Sequence, residues 1–273
     1  MNSYFKNLLI PFYNYFHGIW FGLRNEWTLK NFYLRHKYRK AFRSLKDIHK
    51  GERCFVIGNG PSLTASDLDL LKNEFTFAAN RIFYIFGKTN WRPTYYCSQD
   101  TVVIDDIKDK FSDVLPICEN MFLISKCYNK VPYDVKNSKK VLFYCIRYRQ
   151  SHKELKFCED ISCHISGGST ITYAAMQIAA YMGFKEIYLI GVDQSYASSN
   201  FKNNQIGEQG VKESYFEGMP SDIKMTKPNL DASTLSFMKA KEYADSHGIK
   251  IINATRGGKL EVFPRMQLEE ILC

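Results

Sequence analysis

The sequence lacks the patterns that assign many chains to a class at first sight. None of its eight cysteines forms a C-x-x-C pair, which argues against a redox motif or a zinc ribbon. No uncharged apolar run reaches the roughly 18 residues that a membrane-spanning helix needs. The early run Leu8-Leu9-Ile10 is too short for a signal peptide, and no small-residue cleavage site follows it. We therefore expect a cytoplasmic protein in a reducing environment.

Metal ligands are also scarce. Cys158, Cys163 and His164 lie close together in the sequence, but a fourth ligand at zinc-site spacing is missing. The predicted strand ends carry no clear D-x-D motif of the kind that holds a divalent cation. We expect no metal site and no cofactor.

The positive charge is concentrated at one end of the chain. The 273 residues carry a formal net charge of +9, which suits one large α/β domain with an appendage. Residues 1–50 hold a net +8 together with thirteen aromatic residues, which leaves +1 for the rest. The densest basic cluster contains Arg35, Lys37, Arg39, Lys40 and Arg43. This composition predicts a basic, amphipathic helical arm over 1–50 and a catalytic domain over 51–273.

The arm has two interpretations. Aromatic rings and Lys/Arg side chains together favour peripheral binding to an anionic membrane, here the inner face of the cytoplasmic membrane. Alternatively, the arm packs on the domain or on a sister subunit, which would make the protein a homo-oligomer. Nucleic acid is not an expected partner, because the rest of the chain offers no basic surface to extend the contact.

A glycine turn follows the first apolar stretch. Residues 54–57 suit a buried strand, and the turn after them reads Gly58-Asn59-Gly60-Pro61-Ser62. Glycine permits positive φ and close approach of a ligand, and a helix beginning next would point its free N–H groups at the same place. Ser62 and Ser66 are candidate N-caps for that helix. The turn carries neither G-x-G-x-x-G nor the G-K-[ST] of a Walker loop, so a phosphate site and a merely tight turn both remain open.

Polar residues follow the next predicted strands. The strand at 75–79 ends at Asn80-Arg81, and the strand from Tyr95 ends at Gln99-Asp100. Further strands are predicted at 114–116 with 121–124 and at 141–145, followed by an irregular stretch over 146–163. Ligands of open α/β sheets bind at the carboxyl ends of the strands, where these polar groups would meet.

The clearest unit is a turn, a helix and a strand in that order. The small-residue turn reads Ser166-Gly167-Gly168-Ser169-Thr170, and residues 171–182 have helical apolar spacing that ends at Gly183. The strand at 187–193 ends in a carboxylate, Asp193. Residues 194–229 are polar and aperiodic, which predicts a lid loop. A helix at 233–247 and a strand at 249–253 complete a doubly wound, mostly parallel α/β sheet.

Four stretches together resemble one family, the 6-hydroxymethylpterin-diphosphokinase-like domain that also occurs in motility accessory factors. They are the turn at 58–63, Asn80-Arg81, the segment 167–193 and the segment 253–263. The first and third are also similar to family 42 sialyltransferases. The resemblance covers roughly residues 52–265 and implies a Rossmann-like variant of the glycosyltransferase A fold and a CMP-sugar donor used without a metal.

The resemblance also implies roles for individual residues. It places Gly58, Asn59, Gly60 and Ser62 around the nucleotide phosphate and ribose, and Asn80 facing the donor. It places Gly167, Gly168, Ser169 and Thr170 on the cytidine side, with Asp193 and Tyr196 closing the pocket and the Tyr196 phenol on the leaving phosphate. The predicted donor site also includes the adjacent Pro61, Arg81 and Ser166.

One departure from the family concerns the general base. The related enzymes place a histidine in the region that here reads Gly210-Val211-Lys212-Glu213-Ser214-Tyr215-Phe216, and no histidine is present. An inverting transfer needs a base within hydrogen-bond reach of the acceptor hydroxyl, so Glu208, Glu213 and Asp100 are candidates. The predicted catalytic set is Glu213, Asp100, Tyr196 and Tyr215.

These features favour a metal-independent glycosyltransferase of bacterial surface-glycan or lipopolysaccharide synthesis. Its donor would be a CMP-linked acidic sugar, such as a sialic acid, a related nonulosonate or Kdo, and its acceptor a glycan or a lipid-linked glycan. One alternative is a Mg²⁺-dependent pterin-type diphosphokinase, for which the adjacent pair Asp105-Asp106 is the candidate metal ligand. The other is a non-catalytic nucleotide-sugar-binding assembly protein.

Overall fold

The structure is a computed structural model, and it describes residues 26–147, 155–196 and 207–273, with side chains from residue 33 onward. Its centre is a seven-stranded sheet in which every pairing is parallel. The strands of the sheet are β1 (Arg53–Ile57), β2 (Phe75–Ala79), β3 (Tyr95–Ser98), β4 (Asn120–Ile124), β5 (Val141–Tyr144), β8 (Glu186–Ile190) and β9 (Lys250–Asn253). A separate two-stranded parallel pair is formed by β6 (Ile146–Arg147) and β7 (Ile165–Ser166).

The order of the strands identifies the place where a ligand is expected. Across the sheet they run β5-β4-β3-β2-β1-β8-β9, so the chain builds outward from β1 on one side and then returns to the other side. The direction of winding therefore reverses between β1 and β8, whose register pairs Ile57 with Ile190. Ligands of doubly wound sheets bind in the crevice at such a reversal, at the carboxyl ends of the strands. The predicted Rossmann-like α/β class is confirmed.

Helices occupy the connections between the strands. Those of the described residues are α1 (Glu26–Ser44), α2 (Ala65–Leu70), α3 (Thr101–Ile107), α4 (Phe111–Val114), α5 (Tyr133–Asn137), α6 (Ile171–Tyr181), α7 (Gly207–Ser214), α8 (Leu230–His247) and α9 (Leu268–Leu272). None of the helices in the described ranges is long and apolar enough to cross a membrane.

The sheet has a packed layer on each face. Tyr95 lies 6.1 Å from Phe122 between ring centroids, on the face that α1 covers. The neighbouring Tyr96 lies 5.9 Å from Phe111 of α4. Because successive side chains of a strand point to opposite faces, α1 and α4 lie on opposite sides of the sheet. Both tyrosines are fully buried, as expected for a parallel sheet that is covered on both faces.

Helix α1 belongs to the same core. Its residues Leu34, Tyr38 and Phe42 recur every four positions and are buried. Tyr38 lies 5.7 Å from Phe143 of β5, and Phe42 lies 6.2 Å from Phe122 of β4, between ring centroids. The predicted division of the chain at residue 50 therefore does not coincide with an edge of the hydrophobic core. The first 25 residues of the predicted arm lie outside the described residues.

Several local expectations need correction. Helix α2 is capped by Thr64 rather than by Ser62 or Ser66, because Thr64 and Asp67 form a reciprocal capping box. The stretch 114–116, predicted as part of a strand, is helical, and β4 begins at Asn120. The irregular segment predicted over 146–163 begins with β6, whose two residues are too few to give a periodic signal.

The predicted lid over 194–229 contains a helix. Helix α7 covers Gly207–Ser214, and its Val211 and Ser214 are buried. Residues 197–206 of this predicted lid lie outside the described residues. The rest of the segment, from Tyr215 to Asn229, crosses the carboxyl edge of the sheet without regular structure, apart from one isolated bridge residue, and thereby contributes to the site described next.

Candidate functional site

A cavity of about 470 Å³ opens at the carboxyl edge of the sheet, beside the reversal between β1 and β8. Its lining comes from the ends of β1, β2, β3, β4 and β8, from the N-termini of α6 and α8, and from the segment before α8. Among the predicted site residues it contains Gly58, Asn59, Gly60, Asn80, Arg81, Asp100, Gly168, Ser169, Thr170, Asp193, Tyr196 and Tyr215. Residues from six separate parts of the sequence are thus brought to one place.

The floor of the cavity, defined here as Gly58, Gly60, Gly191 and Asp193, is formed by close contact between two strand ends. A Cβ on Gly58 would lie 2.1 Å from the carbonyl oxygen of Gly191, and one on Gly60 would lie 1.8 Å from Asp193 Oδ2. Neither Gly58 nor Gly60 has a positive φ. These glycines are therefore required first by the packing of β1 against β8, and the expectation that they serve positive φ is wrong.

Asp193 is the buried carboxylate of the site. It is 6% exposed and accepts a hydrogen bond from the Ser62 hydroxyl at 2.8 Å. Burial raises the pKa of Asp193 above its ordinary value, while the hydrogen bond from Ser62 and the charge of Arg265 oppose that shift. A carboxylate with a raised pKa at a strand end is suited to accept a proton or a hydroxyl hydrogen bond from a ligand.

Asn80 is held in an unusual backbone conformation. Its φ is +53°, and its main-chain N–H donates to the carbonyl of Cys97 at 3.1 Å. The Ser98 hydroxyl donates to Asn80 Oδ1 at 2.9 Å. The side-chain amide N–H groups then make no hydrogen bond to any described residue, and the side chain borders the cavity. The left-handed conformation and the Ser98 contact together orient Asn80 as a donor toward a ligand.

Two long helices begin at the cavity. The Thr170 side chain caps α6 by accepting from the N–H of Thr172 at 3.3 Å, and the Asn229 side chain caps α8 by accepting from the N–H of Ala232 at 3.0 Å. Gly168 leaves no room for a side chain, because its Cβ would lie 2.5 Å from Tyr173. The positive ends of both helix dipoles are therefore directed toward the cavity, which favours an anionic ligand.

A buried amide fixes the turn before α6. Gln177 is fully buried, and its Oε1 accepts from the main-chain N–H groups of Cys158 and Ser166 at 3.1 and 2.9 Å. Its Nε2 donates to the carbonyls of Ser166 and Tyr173. All hydrogen-bonding capacity of this amide is thereby used to hold the segment that leads into Gly167 and Gly168.

One wall of the cavity is formed by the strap, residues 224–230. The Thr226 hydroxyl donates to Asp100 Oδ1 at 3.0 Å, and Asp100 also caps α3 by accepting from the N–H of Val102 at 2.8 Å. Arg81 is 1% exposed, pairs with Asp106 at 2.6 Å and donates to the carbonyl of Lys224. Arg81 and Asp100, predicted as ligand-binding and catalytic residues, thus both hold the strap.

Two tyrosines stand beside the strap. The rings of Tyr196 and Tyr215 lie 6.4 Å apart in an edge arrangement. The Tyr215 hydroxyl donates to the Met225 sulfur at 2.9 Å, and burial raises the pKa of the Tyr215 phenol well above its ordinary value. Tyr196 is 38% exposed and borders the cavity, so of the two phenols it is the more accessible to a ligand.

Other predicted residues are not part of the cavity lining. Pro61, Ser62, Ser166 and Gly167 flank lining residues without being part of the lining. The two acidic residues of α7 are exposed, where Glu208 pairs with Lys212 at 2.9 Å and Glu213 accepts from Gln209 at 2.6 Å. The structure therefore brings Asp100, but not Glu208 or Glu213, to the site.

Some lining residues were not predicted from the sequence. Gln194 has a φ of +53° and donates to three oxygens at the start of α8: the carbonyl of Leu230 and the hydroxyls of Ser233 and Thr234. Lys126 and Lys227 also line the cavity and supply positive charge. Lys126 had a usable signal, since it follows a predicted strand, as Asn80 and Asp100 do.

Acidic clusters suited to a metal are absent from the described residues. The D-x-D spacing does occur once, at Asp67-Leu68-Asp69, but within α2 and outside the cavity. There Asp67 pairs with Arg256 at 2.7 Å, and Asp69 accepts from the Thr89 hydroxyl at 2.7 Å. Both carboxylates have partners within the protein.

Comparison with known proteins agrees with this fold. A family model described as 6-hydroxymethylpterin diphosphokinase MptE-like matches residues 28–199, which is more than half of the chain. The chain therefore belongs to the MptE-like family, as its motifs indicate. A search of curated proteins found no match.

Solved structures give the same class of fold. The MAf glycosyltransferase from Magnetospirillum magneticum AMB-1 superposes with a TM-score of 0.50 at 13% identity, over 86% of this chain and 39% of that one. This chain therefore spans well under half of the MAf chain. The sialyltransferase CstII from Campylobacter jejuni, solved with the substrate analogue cytidine-5'-monophosphate, gives 0.44 at 18% identity over 80% and 85% of the two chains. The MAf structure thus shows the same class of fold as this chain.

Proposed function

We propose that the protein is a glycosyltransferase that takes a CMP-linked acidic sugar as donor and transfers the sugar to a glycan or lipid-linked glycan of the bacterial surface. The observation that carries this proposal is the polar cavity at the reversal between β1 and β8, into which the N-termini of α6 and α8 open. The likeness of the fold to the MAf glycosyltransferase agrees with it.

The leaving phosphate would be bound by dipoles and donors rather than by carboxylate-held metal. The first turns of α6 and α8 offer main-chain N–H groups, and Lys126 and Lys227 add positive charge to the lining. The Tyr196 phenol is an accessible hydroxyl donor on the same cavity. Fixed donors aimed at the charge that develops on a leaving group lower the barrier to transfer.

Asp193 would be the proton acceptor. In a direct displacement, the acceptor oxygen bonds to the anomeric carbon, the bond from that carbon to the CMP phosphate breaks, and the acceptor hydroxyl gives its proton to a base. Asp100 is engaged by the strap and by the N-terminus of α3. Asp193 combines burial, a raised pKa and a place on the cavity, which are the properties of a general base.

The family name raises a second candidate, transfer of a diphosphate from ATP with Mg²⁺. Such sites hold Mg²⁺ through carboxylates. The carboxylates that line the cavity are Asp100, which is engaged in capping, and Asp193, which is bonded to Ser62. The adjacent pair Asp105 and Asp106 is bonded to Lys130 and Arg81. These carboxylates are separated from one another and already bonded to other protein groups, so they do not fit a carboxylate-held Mg²⁺ site.

The test is thermal stabilisation by nucleotides, followed by turnover. CMP is expected to raise the melting temperature without added Mg²⁺, more than UDP, GDP or ATP do, and Asn80→Ala is expected to reduce that shift. Glu213→Gln is the matched control, because Glu213 is exposed and outside the cavity. Stabilisation by ATP only when Mg²⁺ is present would favour the diphosphokinase. CMP binding without release of CMP from a CMP-sugar, across a panel of acceptors, would favour a non-catalytic protein.

A further inference from the structure

We propose that a basic patch on α1 docks on an anionic lipid bilayer. The basic patch consists of the exposed cations and one exposed tyrosine of α1, with Tyr133 and Lys136 of α5, the helix whose Lys136 shares the Tyr128 ring with Lys37. Its residues are Tyr33, Arg35, Lys37, Arg39, Lys40, Arg43, Tyr133 and Lys136.

The two sides of α1 differ sharply. One side buries Leu34, Tyr38 and Phe42 against the sheet. The other side exposes five Lys and Arg residues, and none of them forms an ion pair with a described residue. Between residue 33 and the start of β1 the sequence holds only two acidic residues, Asp47 and Glu52. Lys37 donates to the Tyr128 hydroxyl, and the charges of Arg39 and Arg43 act on Asp160. The exposed cations of α1 still outnumber the carboxylates beside them, and this excess is complementary to a surface of negative charge.

The patch adjoins the edge of the sheet where the cavity opens. Lys37 Nζ donates to the Tyr128 hydroxyl at 3.2 Å, and Lys136 Nζ lies 5.1 Å from the centroid of the same ring. Tyr128 follows β4, whose last residue Ile124 lines the cavity together with Lys126. The end of the patch at Lys37 is therefore near the cavity side, whereas Arg43 in the last turn of α1 lies toward the amino end of the sheet.

The exposed aromatic residues favour a bilayer over a nucleic acid or an acidic protein. Tyr33 is 57% exposed and Tyr133 is 82% exposed. Tyrosine is suited to the headgroup level of a membrane, where its ring and hydroxyl meet different environments. The 25 residues that precede α1 add eight aromatic residues in sequence. The chain after residue 50 carries a net charge of only +1, so no basic track continues beyond the patch as a nucleic acid would require.

Docking through the patch would keep the cavity close to the membrane surface, because the Lys37 end of the patch adjoins the cavity edge. If the proposed function holds, the acceptor class is then a glycan on a lipid carrier rather than a free oligosaccharide. This last step rests on the proposed function, whereas the docking itself does not.

Co-sedimentation of the full chain with lipid vesicles tests the docking. We expect binding to vesicles of phosphatidylcholine with phosphatidylglycerol, little binding to phosphatidylcholine alone, and release by high salt. Each Lys or Arg near an anionic surface strengthens binding about five-fold. The triple variant Arg39→Glu, Lys40→Glu, Arg43→Glu removes three cations and adds three anions, so it should bind at least about a hundred-fold more weakly. The matched control is Lys72→Glu, Lys212→Glu, Lys259→Glu, which makes the same change in net charge at exposed sites elsewhere and should bind within a few-fold of the parent.

A second comparison tests the tyrosines. Tyr33→Ala with Tyr133→Ala should weaken vesicle binding by the same factor at low and at intermediate salt, because insertion of a tyrosine ring does not depend on screened charges. Met238→Ala with Met266→Ala, two side chains that are 48% and 40% exposed elsewhere, should have no effect. The melting temperature and the CMP binding of each variant are measured in parallel, so that unfolding is not mistaken for a loss of vesicle binding.

The outcomes separate the two proposals. Equal loss in both triple variants, or no binding to anionic vesicles, overturns the docking, and so does tighter binding to RNA than to vesicles. Patch-specific loss of vesicle binding supports the docking even when no nucleotide stabilises the protein, a result that would count against the proposed function alone. Retained CMP binding in a triple variant that no longer sediments shows that patch and cavity are distinct surfaces.

Discussion

The floor and the strap border the same cavity but are built in different ways. The floor brings two strand ends so close that Gly58 has no room for a Cβ beside the Gly191 carbonyl. The strap is held by side chains, through Thr226 on Asp100 and through Lys224 on the pair of Arg81 and Asp106. Two backbones packed this closely cannot shift without separating the strands, whereas the few hydrogen bonds of the strap can break and form again.

This difference indicates how a ligand reaches the cavity. The floor is continuous with the buried sheet, so it defines the shape that a nucleotide must fit. The strap is the wall that we expect to open, because Met225 is the only buried side chain among residues 224–230. Substitutions in the floor should therefore have larger effects than substitutions in the contacts of the strap.

The largest effect is expected at Gly58. In Gly58→Ala the new Cβ would lie 2.1 Å from a backbone oxygen that cannot turn away, so β1 and β8 must separate. We expect a loss of about 3 kcal/mol in the free energy of unfolding, measured by urea denaturation. Gly87→Ala is the control, since nothing lies within 4 Å of a Cβ there. A similar small change in both variants would show that the floor can adapt.

The second effect concerns turnover. Asp193→Asn keeps a group that can accept from Ser62 but removes the proton acceptor, so we expect a fall of about 10²-fold or more in kcat with little change in donor affinity. Glu213→Gln should retain full turnover. Equal losses in the two variants would remove Asp193 from the role of base, and full activity of Asp193→Asn would do the same.

The pH dependence of Asp193 follows from its raised pKa. Turnover should fall as the pH drops through that pKa, at a higher pH than an exposed aspartate would give. Because folding raises this pKa, the ionised carboxylate opposes folding at neutral pH, and that cost disappears as the pH falls below the unfolded pKa. Asp193→Asn should therefore raise the melting temperature at neutral pH, and the gain should shrink in acid. A gain that grows in acid would contradict this assignment.

The sequence predicts the floor better than the strap for a physical reason. Strand periodicity and polar residues at strand ends are local signals, and they suffice to predict that Asn80, Asp100 and Asp193 lie at one edge of the sheet. The reason for the glycines is not local, because contact between Gly58 and Gly191 joins two segments more than 130 residues apart. Arg81 likewise has the local pattern of a ligand-binding residue, since nothing near it in sequence reveals its pairing with Asp106.

The general base and the arm also show that the sequence reveals local signals but not tertiary contacts. Its place in the region where related enzymes carry a histidine favours Glu213 as the base, but helical geometry turns Glu213 outward on α7. The basic residues of α1 predict a separate arm because charge is visible in a sequence. The spacing of Leu34, Tyr38 and Phe42 also indicates a buried face, which the structure shows against β4 and β5. Which surface a buried face meets is a tertiary property.

The third effect compares two neighbouring ion pairs of α3. Arg81 and Asp106 pair at 2.6 Å with the arginine 1% exposed, and Lys130 and Asp105 pair at 2.6 Å with both side chains more than 40% exposed. Arg81→Met leaves Asp106 and the Lys224 carbonyl without their buried donor, so we expect a loss of about 2 kcal/mol in the free energy of unfolding. Lys130→Met should cost less than about 0.5 kcal/mol, because water screens an exposed pair. Equal costs would show that the strap does not depend on burial of Arg81.

The smallest effect should appear at the outer contact of the strap. Thr226→Val removes the hydroxyl that donates to Asp100 Oδ1 at 3.0 Å and keeps the shape of the side chain. We expect a loss of about 1 kcal/mol from this contact. If the closed strap is the state that holds the donor, the donor KM should rise about five-fold while kcat stays unchanged, since the apparent affinity scales with the closed fraction.

Thr89→Val is the matched control, because its hydroxyl donates to Asp69 at 2.7 Å outside the cavity. Thr89→Val should lose stability without a change in KM. A KM that moves equally in both variants would show that general stability, rather than closure of the strap, sets donor affinity.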